Sequence, residues 1–231
     1  MRALQRICGV ALPALLALAA CAPAPQPQPR SQERQPARSA SAADALPPSP
    51  PLVRAARSQI GATRLYDPAY VRLSYPGGDV PYARGVCTDV VIRALRTQGI
   101  DLQQRIHEDR IAHPQAYPAR WRGLQADANI DHRRVPNQMA WFARQGWQRE
   151  AGPRVADAHA GDFLAGDIVA WDLGGGVLHI GIVSDRKTRD GVPLILHNIG
   201  SGTQEENLLF GYRIIGHYRP ALSSGAALAA R

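Results

Sequence analysis

Cysteine is scarce in this chain, and its 231 residues include only Cys8, Cys21 and Cys87. Lysine is scarcer still, because 26 of the 27 basic residues are arginine and only Lys187 is lysine. So few cysteines exclude the disulfide framework that stabilises many small secreted domains. The chain is 45% hydrophobic and 20% charged, which is typical of a soluble globular protein with a buried core. A wholly disordered or collagen-like chain is therefore excluded.

A concentrated basic patch is also missing, although the formal net charge is +8. Residues 52–220 contain 21 basic and 17 acidic residues, so the part expected to fold carries only +4. The arginines are scattered along this part of the chain. Nucleic-acid-binding domains concentrate their positive charge in a patch or stripe that accompanies a recognisable motif. We therefore predict no nucleic-acid partner.

The first 20 residues have the pattern of a targeting segment. Arg2 and Arg6 precede an apolar run from Ile7 to Ala20, and Cys21 follows it. The run is too short for a membrane-spanning helix, which needs about 20 apolar residues. The segment resembles a bacterial lipoprotein signal peptide (1–20), which implies that Cys21 is lipidated. A plain cleaved signal followed by a coincidental cysteine is the alternative.

The resemblance also bears on location, because Ala22 stands where an Asp would resemble a signal for retention in the inner membrane. It therefore implies a lipid anchor at the periplasmic face of the outer membrane. Residues 21–51 are rich in Pro, Gln, Ala and Arg and contain no aromatic residue, so we predict a disordered tether. One folded domain is expected over 52–220, followed by a flexible tail over 221–231.

The pattern of the folded part changes halfway along it. Helical spacing begins near Leu52 and recurs after Cys87, over 101–112 and over 136–145. After Gly161, short apolar runs alternate with turn residues, as expected for strands. Four strands are predicted at 168–171, 179–183, 193–197 and 212–218. We therefore predict an α+β domain in which a helical half packs on an antiparallel β-meander.

Cys87 is the one thiol left after the signal peptide and the lipidated cysteine are set aside. It lies in the first turn of a predicted helix, where the unpaired N–H groups and the helix dipole favour a thiolate. We therefore expect a lowered pKa and a nucleophilic role. A buried, inert cysteine is the alternative.

A nucleophilic thiol needs a base and a group that orients that base. His179 begins one predicted strand and His197 ends the next, with an Asp190-Gly191 turn between them. If these strands pair, the two imidazoles approach each other at one edge of the sheet. Taken singly, each is equally well interpreted as an ordinary histidine at a strand end.

The order of a helix-start cysteine, GDIVAW, HIGIVSD and LILHNIG resembles the NlpC-type cell-wall peptidases, which have a papain-like fold. The stretches YPGGDVPYARGVCTDVVIRALRTQGIDLQ, NIDHRRVPN and HIGIVSD followed by HNIG are closer still to an uncharacterised bacterial family called YijF-like. The resemblance covers about residues 53–219. It implies a papain-like fold with Cys87 as nucleophile, His179 as base and His197 as the orienting residue.

The nucleophile motif departs from the NlpC pattern, which has Asp before the cysteine and Ser-Gly after it. Here Val86 precedes Cys87 and Thr88-Asp89 follows it, so the implied substrate carries over less securely. Asn198 is an alternative orienting residue, as Asn is in papain-like proteases. Because neighbouring strand residues point to opposite faces, only one of His197 and Asn198 is expected to face His179.

Five residues are candidates for contact with the substrate. Asp89 lies one turn along from the thiol, where it contacts a substrate amine or, as the favoured role, caps the helix. His132 and Arg133 are candidates for the cleft wall, with Arg133 pairing with a substrate carboxylate; a solvated ion-paired loop is the alternative. Tyr75 matches the position of a cleft tyrosine in NlpC-type enzymes. Asn198 completes the set.

Three hypotheses about function follow. The first is an envelope cysteine hydrolase that cleaves amide bonds of peptidoglycan or muropeptides without a cofactor. The second is a non-catalytic lipoprotein that binds cell-wall peptide or a protein partner through a degenerate papain-like cleft. The third is a metal hydrolase that uses His132, His179, His197 and a nearby Asp. No HExxH or other closely spaced ligand motif supports the third hypothesis, so no metal is expected.

Overall fold

The computed structural model describes residues 48–121, 124–149 and 159–222. The signal peptide, Cys21 and residues 21–47 of the expected tether lie outside the described residues. Of the expected tail, 223–231 lie outside them too. The described residues all fall within one compact unit that spans 47–231. Among them, no helix is both long enough and apolar enough to span a bilayer.

Four α-helices lie within the described residues, and their positions confirm the helical spacing of the sequence. They are α1 (Pro51–Arg57), α2 (Cys87–Arg96), α3 (Leu102–Ala112) and α4 (Val135–Arg144). Helix α2 is nearly all buried, because it lies between the other helices and the sheet. Asp101 caps α3 by accepting a hydrogen bond from the N–H of Gln103. Proline in the first turn of α1 and of α4 fits the position where no N–H is needed.

The strands form two sheets. A small parallel pair joins β1 (Leu65–Tyr66) to β2 (Arg84–Gly85), directly before α2. The main sheet is antiparallel and has five strands in the order β6-β5-β4-β3-β7. Its strands are β3 (Ile168–Asp172), β4 (Leu178–Lys187), β5 (Pro193–His197), β6 (Gln204–Glu206) and β7 (Arg213–Tyr218). The predicted α+β class is therefore confirmed.

The predicted four-strand meander is wrong in two respects. Strand β6, a three-residue strand in a polar stretch, was not expected, and it pairs with the outer edge of β5. Strand β7 does not continue the meander but returns to pair with β3 at the opposite side of the sheet. Because β6 already pairs with the outer edge of β5, the free edge of β3 is the one left for β7 to pair with.

The two faces of the main sheet bury different clusters. One face packs Ile180, Ile182 and Leu196 against the helices, together with Cys87. The other face buries Trp171, Val183 and Ile195 with Leu209 and Phe163. Because side chains alternate along a strand, His179 and His197 lie on the second face and Asn198 lies on the helix side. At the end of β5, the consecutive residues His197 and Asn198 therefore point to opposite faces of the sheet.

Candidate active site

Cys87 is the first residue of α2 and is 4% exposed. It is a free thiol. Its position at the helix start matches the prediction. The backbone N–H of Ile180, on β4, lies close enough to the sulfur to act on its pKa, as do those of Thr88 and Cys87 itself. The thiol thus lies between the first turn of a helix and the beginning of a strand.

The expected lowering of the thiol pKa is wrong. Burial raises the pKa of Cys87 to about 12, and the nearby charge of Asp89 adds to the rise. The backbone N–H groups around the sulfur act in the opposite direction but do not outweigh the loss of hydration. The thiol is therefore protonated at neutral pH in this structure, with the helix start providing too little stabilisation for a buried thiolate.

The two histidines meet as expected from the strand pattern. Nε2 of His179 lies 3.1 Å from Nδ1 of His197, and their rings are nearly perpendicular. Both side chains are almost fully buried. Burial, reinforced by the neighbouring His197, lowers the pKa of His179 to about 3, so this imidazole is neutral at physiological pH. A neutral imidazole is the form that accepts a proton.

Gly181 is what lets the two strands carry their histidines so close together. In the register of β4 and β5, Ile182 lies opposite Leu196, which places Gly181 opposite His197. A Cβ atom built on Gly181 falls 2.7 Å from Cγ2 of Ile195 and 3.1 Å from Cβ of His197. Any larger residue there displaces β5 and the His197 ring with it. The glycine in HIGIV is therefore needed for the close packing of β4 and β5, which the sequence pattern alone did not reveal.

The thiol and its candidate base are not hydrogen-bonded to each other within the described part of the chain. Cys87 packs with the helix-side core, whereas His179 lies on the other face beside Trp171, at 5.8 Å between ring centroids. They approach through Ile180, which follows His179 in the chain and whose N–H faces the sulfur. Catalytic hydrogen bonds often tighten only when substrate binds.

Asn198 does not contact His179, so His197 is the residue that does. The Asn198 side chain donates to the carbonyl of Gly85 at 3.0 Å and accepts from the N–H of Gly200. This bond joins the end of β5 to the residue two before Cys87. Asn198 thus fixes the position of the histidine strands relative to α2, and it is fully buried rather than open to substrate.

Asp89 takes the capping role that the sequence favoured. Its Oδ2 accepts from the N–H of Val86 at 2.7 Å, and its carboxylate pairs with Nε and Nη2 of Arg133 at 2.9 Å each. Arg133 also donates to the carbonyls of Asp67 and Ala69. The buried pair holds the first turn of α2 against the segment that precedes α4. Asp89 therefore faces inward, away from any bound substrate.

A cavity of about 240 Å³ opens beside Cys87. Its wall has no acidic residue among those described, and it holds both polar and apolar groups. The lining residues are Tyr66, Pro68, Val86, Cys87, Arg120, Ile130, Arg133, Arg134, Val135, Pro136, Gly176 and Leu178. Arg133 therefore reaches the cavity, as predicted, while its carboxylate partner Asp89 does not line it.

Tyr66 takes the place in the cleft that was expected of Tyr75. Tyr66 lines the cavity, and burial, followed by the charges of Cys87 and Asp89, raises its pKa. Tyr75 lies elsewhere, with its hydroxyl donating to Glu108 at 3.3 Å and its ring against His107. Tyr75 is therefore not among the residues that line this cavity. Tyr66 was hidden by its Asp67-Pro68 context, which indicates only a turn.

His132 is buried behind the cavity wall rather than exposed in it. Its Nδ1 has no hydrogen-bond partner among the described residues, and burial lowers its pKa to about 4. It is not among the residues that line the cavity. His132 is therefore buried away from the lining of the cavity in this structure.

Glu206 was not anticipated at all. Its Oε2 lies 3.1 Å from Nε2 of His197, near enough for an ion pair but out of line for a hydrogen bond. It belongs to β6, the strand missing from the prediction. In the regions 48–121, 124–149 and 159–222, no group of three or more His, Cys, Asp or Glu side chains is arranged to hold a metal ion.

Comparison with known proteins identifies relatives of this chain. Residues 53–220 match the model of a family described as Domain of unknown function (DUF1287). Over 164 residues, the chain is 52% identical to the "Uncharacterized protein YijF" of Escherichia coli (strain K12), which covers 71% of this chain and 78% of that protein. No solved structure matches.

Proposed function

The chain belongs to the DUF1287 family, and we propose that it is a cell-envelope cysteine hydrolase that cleaves amide bonds of peptidoglycan. The observation that carries the proposal is a helix-start thiol that lines a cavity and lies against the backbone N–H of Ile180, the residue that follows His179 in the buried pair of imidazoles. The order of these parts in the chain resembles that of the NlpC-type peptidases. The papain-like character of the fold is part of this proposal.

The reaction follows from the groups at the cavity. The sulfur of Cys87 attacks an amide carbonyl while its proton passes to His179, so that an S–C bond forms and the oxyanion faces the backbone N–H of Cys87. The C–N bond then breaks, and the imidazolium returns the proton to the departing amine. Water, activated by His179, hydrolyses the thioester to release a carboxylic acid and restore the thiol.

Cys87 and His179 are both neutral before substrate binds, so the proton has to move during the attack on the amide. The thiol pKa is raised to about 12 and that of His179 is lowered to about 3, each chiefly through burial. A separated thiolate and imidazolium are therefore disfavoured before substrate arrives. Proton transfer accompanies the attack, as in a serine nucleophile with its histidine base, and requires the sulfur and the imidazole to come into contact when the cavity fills.

The cavity wall favours a substrate that carries a carboxylate. Arg120, Arg133 and Arg134 reach the wall, and no acidic side chain among the described residues does so. Asp131, behind the wall, pairs with both Arg110 and Arg134, and Arg133 pairs with Asp89. Guanidinium groups bind carboxylates through paired hydrogen bonds. Stem peptides of peptidoglycan carry such carboxylates.

The N-terminal segment provides the location in this proposal. Cys21, at the end of the apolar run, is the expected site of a lipid anchor on the periplasmic face of the outer membrane. We expect the full-length protein to incorporate a labelled fatty acid and to fractionate with membranes. Cys21→Ala is expected to abolish labelling, whereas Cys8→Ala is the matched control and is expected to retain it.

The test of hydrolysis is mass spectrometry of muropeptides incubated with the full-length protein. The mass of the products identifies the cleaved bond, whether between sugar and peptide, within the stem or in a cross-link. Cys87→Ala is expected to remove turnover while circular dichroism and thermal unfolding stay close to those of the wild type. Free and amidated muropeptides are compared in parallel, and faster cleavage of the free acids is expected. Unchanged turnover by Cys87→Ala would falsify the nucleophile assignment.

A non-catalytic binder is the second candidate, and one observation favours it. The thiol is protonated and is not hydrogen-bonded to His179 among the described residues. A binder is expected to hold muropeptides with the same affinity in the wild type and in Cys87→Ala, with no product from either. Calorimetric titration of both proteins with purified muropeptides, followed by mass spectrometry of the same samples, separates the two candidates.

A further inference from the structure

A line of three side chains crosses three neighbouring strands on the face of the sheet that carries the histidines. Nε2 of His179 on β4 faces Nδ1 of His197 on β5 at 3.1 Å. Nε2 of His197 in turn lies 3.1 Å from Oε2 of Glu206 on β6. The His197 side chain is fully buried, and its Nε2 has no aligned hydrogen-bond partner among the described residues. A buried ring nitrogen without a partner is costly, and the carboxylate is close enough to act on it electrostatically although it is out of line for a hydrogen bond.

The contact between the histidines admits two arrangements of protons. In the first, His179 donates from Nε2 to Nδ1 of His197, and His197 carries its own proton on Nε2, facing Glu206. In the second, His197 donates from Nδ1, which leaves the lone pair of its Nε2 against the carboxylate. An acceptor facing an acceptor at 3.1 Å in a buried site is repulsive. The carboxylate therefore selects the first arrangement.

That arrangement determines which nitrogen of His179 is basic. With its proton on Nε2, His179 keeps a lone pair on Nδ1, as the base of the proposed hydrolysis requires. In the second arrangement, Nδ1 carries the proton and His179 cannot accept another there. The tautomer of a catalytic histidine is thus set by the partner of its other nitrogen. Here Glu206, which lies two strands away from His179, determines the tautomer of His179 through His197.

We propose that Glu206 is a positioning residue, which fixes the tautomers of His197 and His179 so that Nδ1 of His179 is free to take the thiol proton. The tautomer claim stands on the geometry of the three side chains, while its catalytic consequence rests on the proposed hydrolase function. Glu206 also stabilises positive charge that develops on the histidines during the reaction. In the unliganded protein, burial lowers the pKa of His197 and the contact with Glu206 opposes that lowering.

The neighbouring Glu205 is a built-in control. Glu205 lies opposite Leu196 in the sheet and points to the other face, where it pairs with Arg57 at 2.7 Å and Arg186 at 2.9 Å. Glu206 lies opposite Ile195, on the histidine face. The two glutamates therefore share a strand, a charge and a sequence context, and they differ in the partner that each one faces.

The test combines histidine NMR with kinetics for the wild type, Glu206→Gln, Glu206→Ala and Glu205→Gln. ¹⁵N-labelled histidine reports which ring nitrogen carries the proton. At pH 7, we expect the wild type and Glu205→Gln to show Nε2–H for both His179 and His197. Glu206→Ala is expected to populate the second arrangement. Glu206→Gln retains an acceptor and is expected to keep the wild-type tautomers. Glu206 is 46% exposed at its side chain, so these variants are expected to fold.

The kinetic expectation is specific to a positioning role. We expect Glu206→Ala to lower kcat about tenfold with little change in KM, because the substrate does not touch this residue. The kcat of Glu206→Gln is expected to lie between those of the wild type and Glu206→Ala. The acid limb of the pH profile is expected to move to lower pH in both variants. Among the described residues, the titratable groups in contact with the two imidazoles are each other and Glu206, and Glu206 is the one that stabilises their protonated forms.

The two readouts separate the failure of this proposal from that of the proposed function. Unchanged tautomers in Glu206→Ala overturn the positioning role, whatever the activity. A tautomer change in Glu206→Ala, together with no muropeptide cleavage by the wild type, supports the positioning of the histidines and removes the hydrolase. Equal shifts in Glu205→Gln and Glu206→Ala also overturn the proposal, because they reveal a general loosening of β6.

Discussion

Two buried histidine networks lie on the main sheet, and they are satisfied to different degrees. Asp167, directly before β3, accepts hydrogen bonds from His217 at 2.7 Å, from Nε and Nη2 of Arg219 at 2.8 and 2.7 Å, and from the N–H of Leu164 at 2.9 Å. The network of His179 and His197 has one aligned hydrogen bond and leaves Nε2 of His197 without a second.

The difference teaches which histidines are structural and which are available for chemistry. In the Asp167 network, an ionised carboxylate is matched by donors on all sides, and the pKa of Asp167 lies below its usual range because these bonds outweigh burial. In the other network, burial without compensation holds His179 neutral. A saturated network stabilises one state, whereas an unsaturated one has capacity left for a substrate or a moving proton.

The largest effect is expected when one histidine of each network is replaced by alanine. His197→Ala is expected to lower kcat/KM for muropeptides by about 10²–10³-fold, because His179 loses the partner that orients it. His217→Ala is expected to leave the activity of each folded molecule unchanged. Its free energy of unfolding is instead expected to fall by about 2–3 kcal/mol, since a buried carboxylate loses a donor. Initial rates and urea unfolding of both variants measure the two quantities.

The fraction of folded protein in each sample, measured by circular dichroism under the assay conditions, corrects the rates. If both variants lose activity to the same degree per folded molecule, the distinction between a structural and a functional network is wrong. A loss of stability in His197→Ala alone contradicts it as well.

The next effect concerns stability and its dependence on pH. Asp167→Asn is expected to lower the free energy of unfolding at pH 7 by about 2–3 kcal/mol, because His217 and Arg219 lose their charged partner. The loss stays within this range because Arg219 is partly exposed and retains some hydration. The lowered pKa of Asp167 means that its stabilisation is present above the unfolded pKa of about 4 and is lost as the pH falls through the folded value. The variant should therefore lose less stability than the wild type between pH 5 and pH 2.

Asp172→Asn is the matched control, because Asp172 also lies on β3 and pairs with Arg213, but near the surface. Urea unfolding at several pH values is expected to show little change for this variant. If the wild type and Asp167→Asn lose the same amount of stability as the pH falls, the assignment of Asp167 as an ionised carboxylate with a full set of donors is wrong.

Much of the fold was predictable because local patterns decide it. The helical spacing around Cys87 and the alternating runs after Gly161 depend on neighbouring residues, and the structure confirms them. Strand β6 was missed because Gln204–Glu206 is short, polar and preceded by glycines. The return of β7 to β3 was also missed, since it depends on which sheet edge is left open, and no local pattern records that.

The site was predictable only in part, for the same reason. The pairing of His179 with His197 follows from two adjacent strands joined by a turn, and the structure brings them to 3.1 Å. Tyr66 and Glu206 reach the site through long-range folding, from a turn and from the unpredicted strand. The pKa of Cys87 was predicted in the wrong direction, because the helix start is visible in the sequence and the depth of burial is not.

A smaller effect is expected from Gly181, which sets the distance between β4 and β5 at the histidines. Gly181→Ala is expected to lower kcat about tenfold, because its Cβ falls 2.7 Å from Ile195 and 3.1 Å from His197. Gly200→Ala is the control, since a Cβ there meets no atom within 4 Å. Steady-state kinetics and the tautomer spectrum of both variants test this. A fully active Gly181→Ala variant, with unchanged histidine signals, contradicts the importance of the close approach.

The smallest expected effect is a change in the shape of a titration rather than a loss of function. With the thiol pKa raised to about 12 by burial, the rate of Cys87 alkylation in the folded protein should rise about tenfold per pH unit from pH 6 to 10 without levelling off. In urea, the same cysteine should level off above its ordinary pKa of about 8.5. The Cys8→Ala/Cys21→Ala variant confines alkylation to Cys87. A plateau below pH 7 in the folded protein instead indicates a preformed thiolate, and it places the proton on His179 before substrate binds.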